Sequence, residues 1–203
     1  MQVAQIAFPV KVLGPGKRIG LWLQGCLKRC PHCIATQFLP LKGGASYPVE
    51  AVRDEILFYA RNFGASGVTI SGGEPLLQWP ALRLVLQQVK GTLTDFSSIL
   101  FTGYKYTPSG KFHLLPSEQP ADIENLVDLL IDDEYVDDLN DGAFMKGSTN
   151  QTMHFTNTQF REEFETYVQD QNSTRRFQKL TGADFVAGMP PRGFARQLSL
   201  TKS

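Results

Sequence analysis

Cysteine is scarce and confined: the chain has 3, and none lies outside residues 26–33. With nothing elsewhere to pair with, these thiols form no disulfide framework, and unpaired clustered thiols fit a reducing cytoplasm. Net charge is missing too, because 20 Lys and Arg balance 20 Asp and Glu. A nucleic-acid binder carries a basic excess or stripe, and none is visible, so no nucleic-acid partner is expected. No apolar run approaches the ~20 residues of a bilayer-spanning helix, so no membrane partner is expected either. The first residues lack a basic stretch followed by an apolar one, which excludes a secretory signal there. Repeats and low-complexity segments are absent. What is there is enough for one sizeable core: 203 residues, 42% hydrophobic, with 14 Phe. We therefore expect one domain, 1–203, with a core of about 1–155 and an extension of about 156–203.

The three cysteines stand as Cys26-x3-Cys30-x2-Cys33. Soft thiolates that close in sequence can wrap one face of an inorganic centre, and they select zinc or an iron–sulfur cluster over hard cations. Both structural zinc and an ordinary electron-transfer [4Fe-4S] cluster take four protein ligands. Three leave one corner open, as a site that binds substrate at its metal does. Taken alone the cysteines also suit a Cys3His zinc site, with His32, His113 or His154 as the fourth ligand. Ahead in the chain, Val68-Thr69-Ile70 reads as a strand end running into Ser71-Gly72-Gly73-Glu74-Pro75. Two glycines allow close approach to the backbone, and Glu74 offers an acceptor for a cation or ammonium group.

A C-x3-C-x2-C loop followed by a strand ending in GGEP resembles the radical S-adenosylmethionine enzymes, and the pairing favours the cluster over zinc. The resemblance is nearest to the activating proteins of anaerobic ribonucleotide reductase, with the pyruvate formate-lyase activating enzymes more distant. It rests further on Gln24-Gly25-Cys26, Thr102-Gly103-Tyr104, Asp141-Gly142-Ala143-Phe144 and Gly147-Ser148-Thr149-Asn150-Gln151, all in the right order, and covers roughly residues 1–155. It departs where only Met145 and Lys146 separate the last two segments, and again in the Gly188-Met189-Pro190-Pro191 tail. Both departures leave the substrate open.

The resemblance implies a [4Fe-4S] cluster held by Cys26, Cys30 and Cys33, with S-adenosylmethionine completing the fourth iron. It places the cofactor against His32, Cys33, Ile34, Gly72, Gly73, Glu74 and Pro75, with the amino group at the GGEP segment. Thr102 and Asp141 would lie near its carboxylate, where a relative holds a monovalent cation. No side chain is assigned a catalytic role. Flavodoxin or ferredoxin would supply the electron, and the substrate would be a protein or peptide, such as a glycyl radical enzyme. A small metabolite is the alternative substrate, and a non-catalytic cluster-bearing regulator the alternative class. A side chain at Gly73 is expected to obstruct the cofactor while leaving the cluster in place.

Along the chain, strand and helix patterns alternate, favouring an α/β fold with a mostly parallel sheet. A full eight-fold barrel takes about 250 residues, so length and resemblance together imply an open, partial barrel. Val3–Leu13, Ile19–Leu23, Gly67–Ser71 and Ser98–Phe101 read as strands. Helices are expected from Pro48 to Gly64, from Pro80 along Leu82, Val85, Leu86 and Val89, and over Ile123, Leu126, Val127 and Leu130. A further strand is expected at Tyr135–Leu139. A last helix, capped by Asn157, would carry Phe160, Phe164 and Tyr167, ahead of a hairpin over Arg176–Leu180 and Phe185–Ala187. Asp132, Asp133, Glu134, Asp137 and Asp138 read as a solvated acidic patch, Asp141-Gly142 equally as a plain turn, and His113 and His154 as loop residues.

Overall fold

The computed structural model describes residues 1–170, 177–180, 186–189 and 192. Its strands are β1 (Gln2–Val10), β2 (Arg18–Leu23), β3 (Ala45–Ser46), β4 (Gly67–Gly72), β5 (Ser97–Phe101), β6 (Leu129–Asp132) and β7 (Thr152–Phe155), followed by β8 (Phe177–Lys179) and β9 (Val186–Gly188). The helices are α1 (Val49–Phe63), α2 (Trp79–Lys90), α3 (Ile123–Leu126) and α4 (Arg161–Gln169). One sheet runs β3-β1-β2-β4-β5-β6-β7, and β8 pairs separately with β9. β2, β4, β5 and β6 are mutually parallel, while β1, β3 and β7 join antiparallel at the flanks. The expected α/β fold is present, with parallel strands at its centre.

The sheet is buried on both faces, as parallel strands require. Ile19, Leu21, Leu23, Val68, Ile70, Leu100 and Leu130 face α1 and α2, meeting Val52, Ile56, Leu82 and Val85 in one cluster. On the other face Ile99, Leu129 and Ile131 pack on Phe160 and Phe164 of the α4 region, and Trp22 packs on Leu180 and Ala187 of the β8–β9 hairpin. α1 begins after Pro48 and stops at Gly64, and α2 has Pro80 in its first turn, all as the sequence indicated.

Arg18 opens β2 at the end of the strands remote from the cysteine loop, and it is fully buried. Its Nε donates to Thr69 Oγ1 at 2.6 Å, and its terminal nitrogens donate to Ser97 Oγ, Val68 O and Ser97 O at 2.7–3.0 Å. Burial lowers its pKa to about 10, so the guanidinium stays charged at neutral pH and ties three strands together.

Five expectations are corrected. Ile123 and Leu126 lie in a four-residue helix, but Leu130 is in β6. The apolar spacing straddles two elements, because a strand covered on both faces is apolar at every position and imitates a helical face. Tyr135–Leu139 is not a strand; Asp137–Leu139 is a 3₁₀ turn, and Asp137 and Asp138 are poor strand formers. His154 is not in a loop but in β7, paired opposite Leu130. The acidic patch is not wholly solvated: Asp132 is 1% exposed and accepts from Tyr106 N (2.7 Å) and Thr152 N (3.0 Å). Asn157 sits upstream of the helix it was to cap; Phe160 holds that position, and Asn157 accepts from Gln159 N and donates to Asp128. The hairpin forms as β8–β9, while its turn, Thr181–Asp184, together with Arg176, Phe185 and Pro190-Pro191, lies outside the described residues.

Candidate functional site

Parallel strands deliver their carboxyl ends to one edge of the sheet, where loops converge on a cavity. β2 leads into Cys26, β4 into Gly73-Glu74, β5 into Thr102-Gly103 and β6 into Asp133-Glu134, and all of these residues line that cavity. Cys30 and Cys33 line it as well. Main-chain bonds close the cysteine loop. Gly25 N donates to Phe38 O (2.8 Å) and Cys26 N to Leu39 O (3.0 Å), closing the loop on itself. Gly73 N donates to Leu23 O and Glu74 N to Gly25 O, each at 2.7 Å, so the GGEP segment is stitched to the start of the cysteine loop.

Inside the loop, Arg29 donates to Cys26 O and to Lys28 O, and Cys33 N donates to Cys30 O at 3.2 Å. His32 adopts φ of 61°, a left-handed conformation that His tolerates better than most residues. Cys26 is buried, and Cys30 and Cys33 are partly buried. Burial pushes the Cys26 thiol up to about 11, with Glu74 adding to it, and raises Cys30 and Cys33 as well. These are thiols whose protons a soft metal centre displaces on binding.

The donor set fits a cluster: Cys26, Cys30 and Cys33 all line one cavity, and a [4Fe-4S] cluster takes each thiolate on a different iron.

Glu74 is 1% exposed. Its Oε1 accepts from Leu76 N (3.0 Å) and Thr102 Oγ1 (2.8 Å), and its Oε2 from Gly103 N (2.8 Å). Burial raises its pKa, and the three hydrogen bonds oppose the rise. Glu74 thus clamps the β4 loop to the end of β5, and the acceptor capacity proposed for a cofactor is already largely used by the protein. Glu74→Ala is therefore expected to cost stability first. Each orphaned buried donor costs about 1–3 kcal/mol, which should lower the unfolding midpoint in a thermal or denaturant melt. An unchanged midpoint would show the clamp to be dispensable.

Of the residues singled out by sequence, Cys26, Cys30, His32, Cys33, Ile34, Gly72, Gly73, Glu74 and Thr102 all line the cavity. Pro75 does not line it; it is buried and opens a 3₁₀ turn. Asp141 is not brought in: it is exposed, and its Oδ1 accepts from Ala143 N at 2.8 Å in a turn, while its neighbour Asn140 lines the cavity instead.

Other residues at the cavity were given no role in the site from sequence. Lys28 Nζ sits 4.9 Å from the Tyr104 ring centre and 3.5 Å from Glu134 Oε2. Gln151 accepts from Gly147 N and donates to Asp133 O, and Asn150 donates to Glu134 O. The GSTNQ segment therefore positions the loop after β6, a role that its amides could have signalled. Met189 lines the cavity from the C-terminal extension.

The family described as 4Fe-4S single cluster domain matches residues 12–154. The chain belongs to that family. As a member of the 4Fe-4S single cluster domain family it has relatives among activating proteins. It is 28% identical over 153 residues to the anaerobic ribonucleoside-triphosphate reductase-activating protein of Salmonella typhi, covering 72% of this chain and 94% of that protein. The same protein of Vibrio cholerae is 29% identical over 153 residues, with the same coverage. The pyruvate formate-lyase-activating enzyme of Staphylococcus epidermidis is 42% identical over 80 residues, 38% of this chain and 32% of that enzyme. The family and these relatives agree with the recognition made from the cysteine and GGEP segments: this is an iron–sulfur enzyme of the radical S-adenosylmethionine type.

Proposed function

We propose that the protein is an activating enzyme that generates a glycyl radical on a partner protein. The observation that carries this reading is the convergence of three thiols and the GGEP segment on one cavity, joined by the bond from Glu74 N to Gly25 O. Cys26, Cys30 and Cys33 would hold a [4Fe-4S] cluster, which supplies one electron to S-adenosylmethionine, giving methionine and a 5′-deoxyadenosyl radical that takes a glycine α-hydrogen. The protein's own part is to bind, orient and exclude water. Gly72, Gly73 and Ile34 would line the cofactor's place in the cavity, and Lys28, the lysine of the cavity wall, would balance a carboxylate. Flavodoxin or ferredoxin would deliver the electron.

A macromolecular substrate is supported by how the extension is used. α4 and the β8–β9 hairpin are committed to covering the second face of the sheet, where Phe164, Leu180 and Ala187 are buried. Among the described residues no separate substrate-binding domain is left over, so a partner's loop would close the site. We read the sheet as an open partial barrel and residues 1–203 as one domain. We place the protein in the cytoplasm, where a reducing medium suits its thiols; no helix among the described residues is long and apolar enough to cross a membrane.

The test is anaerobic reconstitution, with iron and sulfide counts and an assay for 5′-deoxyadenosine. We expect about four irons per chain, slow cofactor cleavage alone, and faster cleavage with the right glycyl radical enzyme. That partner should then show a doublet in electron paramagnetic resonance that collapses on α-deuteration of glycine. Stoichiometric zinc without iron–sulfur absorbance would refute the reading, and efficient turnover of a free metabolite would replace the partner with a small molecule.

A further inference from the structure

The cavity wall has two origins in the chain. Its lining residues from Cys26 to Gln151 fall within the segment matched by the family, 12–154, and the one described lining residue outside it is Met189. Met189 directly follows β9 and joins the apolar cluster built on Trp22 and Phe38, together with Ala35 and Phe101, which also line the cavity.

Met189 is held from behind. Leu180 and Ala187, on the two arms of the hairpin, are 6% and 2% exposed in that cluster. The Gln178 side-chain amide accepts from Lys11 N (2.9 Å) and donates to Pro9 O (3.0 Å), bonding the chain at the end of β1 as a neighbouring strand would. Beyond Met189, Arg192 forms ion pairs with Asp137 and Asp138, which border the groove outside the cysteine loop. The extension is thus fastened at the end of β1 and on the far bank of the cysteine loop, and Met189 lies between.

The two walls differ chemically. The cysteine thiols and the Gly72–Glu74 segment line one part of the cavity; Ala35, Phe101 and Met189, which share one apolar cluster, line another. A bound cofactor would take the first, leaving the second to face whatever donates the hydrogen atom. The reacting carbon must come within about 3–3.5 Å of its partner, which brings the residues flanking it against the apolar wall. An apolar wall discriminates by size, at about 10- to 200-fold per misfitted group.

We propose that Met189 is a specificity-determining residue, setting how large a side chain is admitted beside the reacting glycine. The proposal rests on the function proposed above. The family-matched part of the cavity would carry the shared cofactor chemistry, and the extension would fit it to this protein's own substrate.

The test uses the reconstituted full-length protein, S-adenosylmethionine and dithionite as electron donor. The probes are pentapeptides with a central α-deuterated glycine flanked by Ala, Leu or Trp. Abstraction breaks the glycine C–D bond, leaves a glycyl radical on the peptide and puts the deuterium on the 5′ carbon of 5′-deoxyadenosine. The readout is labelled 5′-deoxyadenosine from Trp-flanked peptide relative to Ala-flanked peptide. This ratio is independent of how much of each variant is folded. Met189→Ala should raise it about tenfold or more, the lower end of apolar size discrimination, and Met189→Trp should lower it. Equal ratios in wild type and both variants overturn the assignment. Unlabelled 5′-deoxyadenosine from every protein with every peptide overturns it together with the glycine substrate, and no 5′-deoxyadenosine at all overturns the proposed function itself.

Discussion

Replacing any one of Cys26, Cys30 or Cys33 with alanine should abolish reductive cleavage of S-adenosylmethionine. The 3 cysteines of the chain are all in this loop, so no other thiol can take the place of a lost one. With two thiolates left, two corners of a cluster would be open rather than one. The three substitutions should nonetheless differ in their effect on the fold. Cys26 is buried, and its main chain is bonded to Leu39, so Cys26→Ala removes packed volume as well as a ligand. Cys30 is partly buried, with Glu134 Oε2 4.0 Å from its sulfur, and Cys30→Ala should leave the metal-free protein's melting temperature nearly unchanged. Iron counts and the 5′-deoxyadenosine assay read the first effect, and melting of the metal-free proteins reads the second. A single variant that kept both iron and cleavage would remove its cysteine from the ligand set.

Gly73→Ala should cost the protein its cluster as well as its cofactor. From sequence, Gly73 reads as space for S-adenosylmethionine, so that a side chain there spares the cluster. In the fold, a Cβ at Gly73 would stand 2.2 Å from Gly25 O, 2.6 Å from Gly25 C and 2.8 Å from Phe38 O. All three atoms are backbone, and they belong to the segment whose bonds close the cysteine loop. Overpacking against side chains costs about 1–3 kcal/mol, and backbone yields less readily than a rotamer. The cysteine loop must therefore move, and iron content should fall about tenfold or more, in parallel with the loss of cofactor binding. Gly103→Ala is the control: its nearest neighbour would be Lys28 Cδ at 3.0 Å, on a flexible side chain that can swing aside. Full iron content in Gly73→Ala with only weakened cofactor affinity would restore the reading taken from sequence.

Much of the chemistry was legible before folding because it is encoded locally. Cys26, Cys30 and Cys33 lie within eight residues of one another, and the GGEP segment is contiguous, so the resemblance to a known family can be carried by short stretches of sequence. α1 and α2 were legible for the same reason: Val52 and Ile56, or Leu82, Val85, Leu86 and Val89, repeat at intervals that one helix brings to one face. Where two elements shared one apolar pattern, as at Ile123–Leu130, local reading failed, because a strand buried on both faces carries no periodicity of its own.

What only the tertiary structure decided rests on partners far apart in the chain. Glu74 presents itself in sequence as a free acceptor, yet its oxygens are occupied by Thr102 and Gly103, 28 and 29 residues away. Arg18 is one arginine among many until its guanidinium meets Ser97, 79 residues on. Met189 has no motif around it, yet it lines the cavity from a hairpin whose Gln178 bonds to Lys11, 167 residues back. A sequence pattern records which residues share a helix face or a loop. Which buried acceptor is already satisfied, which glycine is pressed against backbone and which apolar side chain faces a cavity are set by packing between segments, where burial and hydrogen bonding are decided.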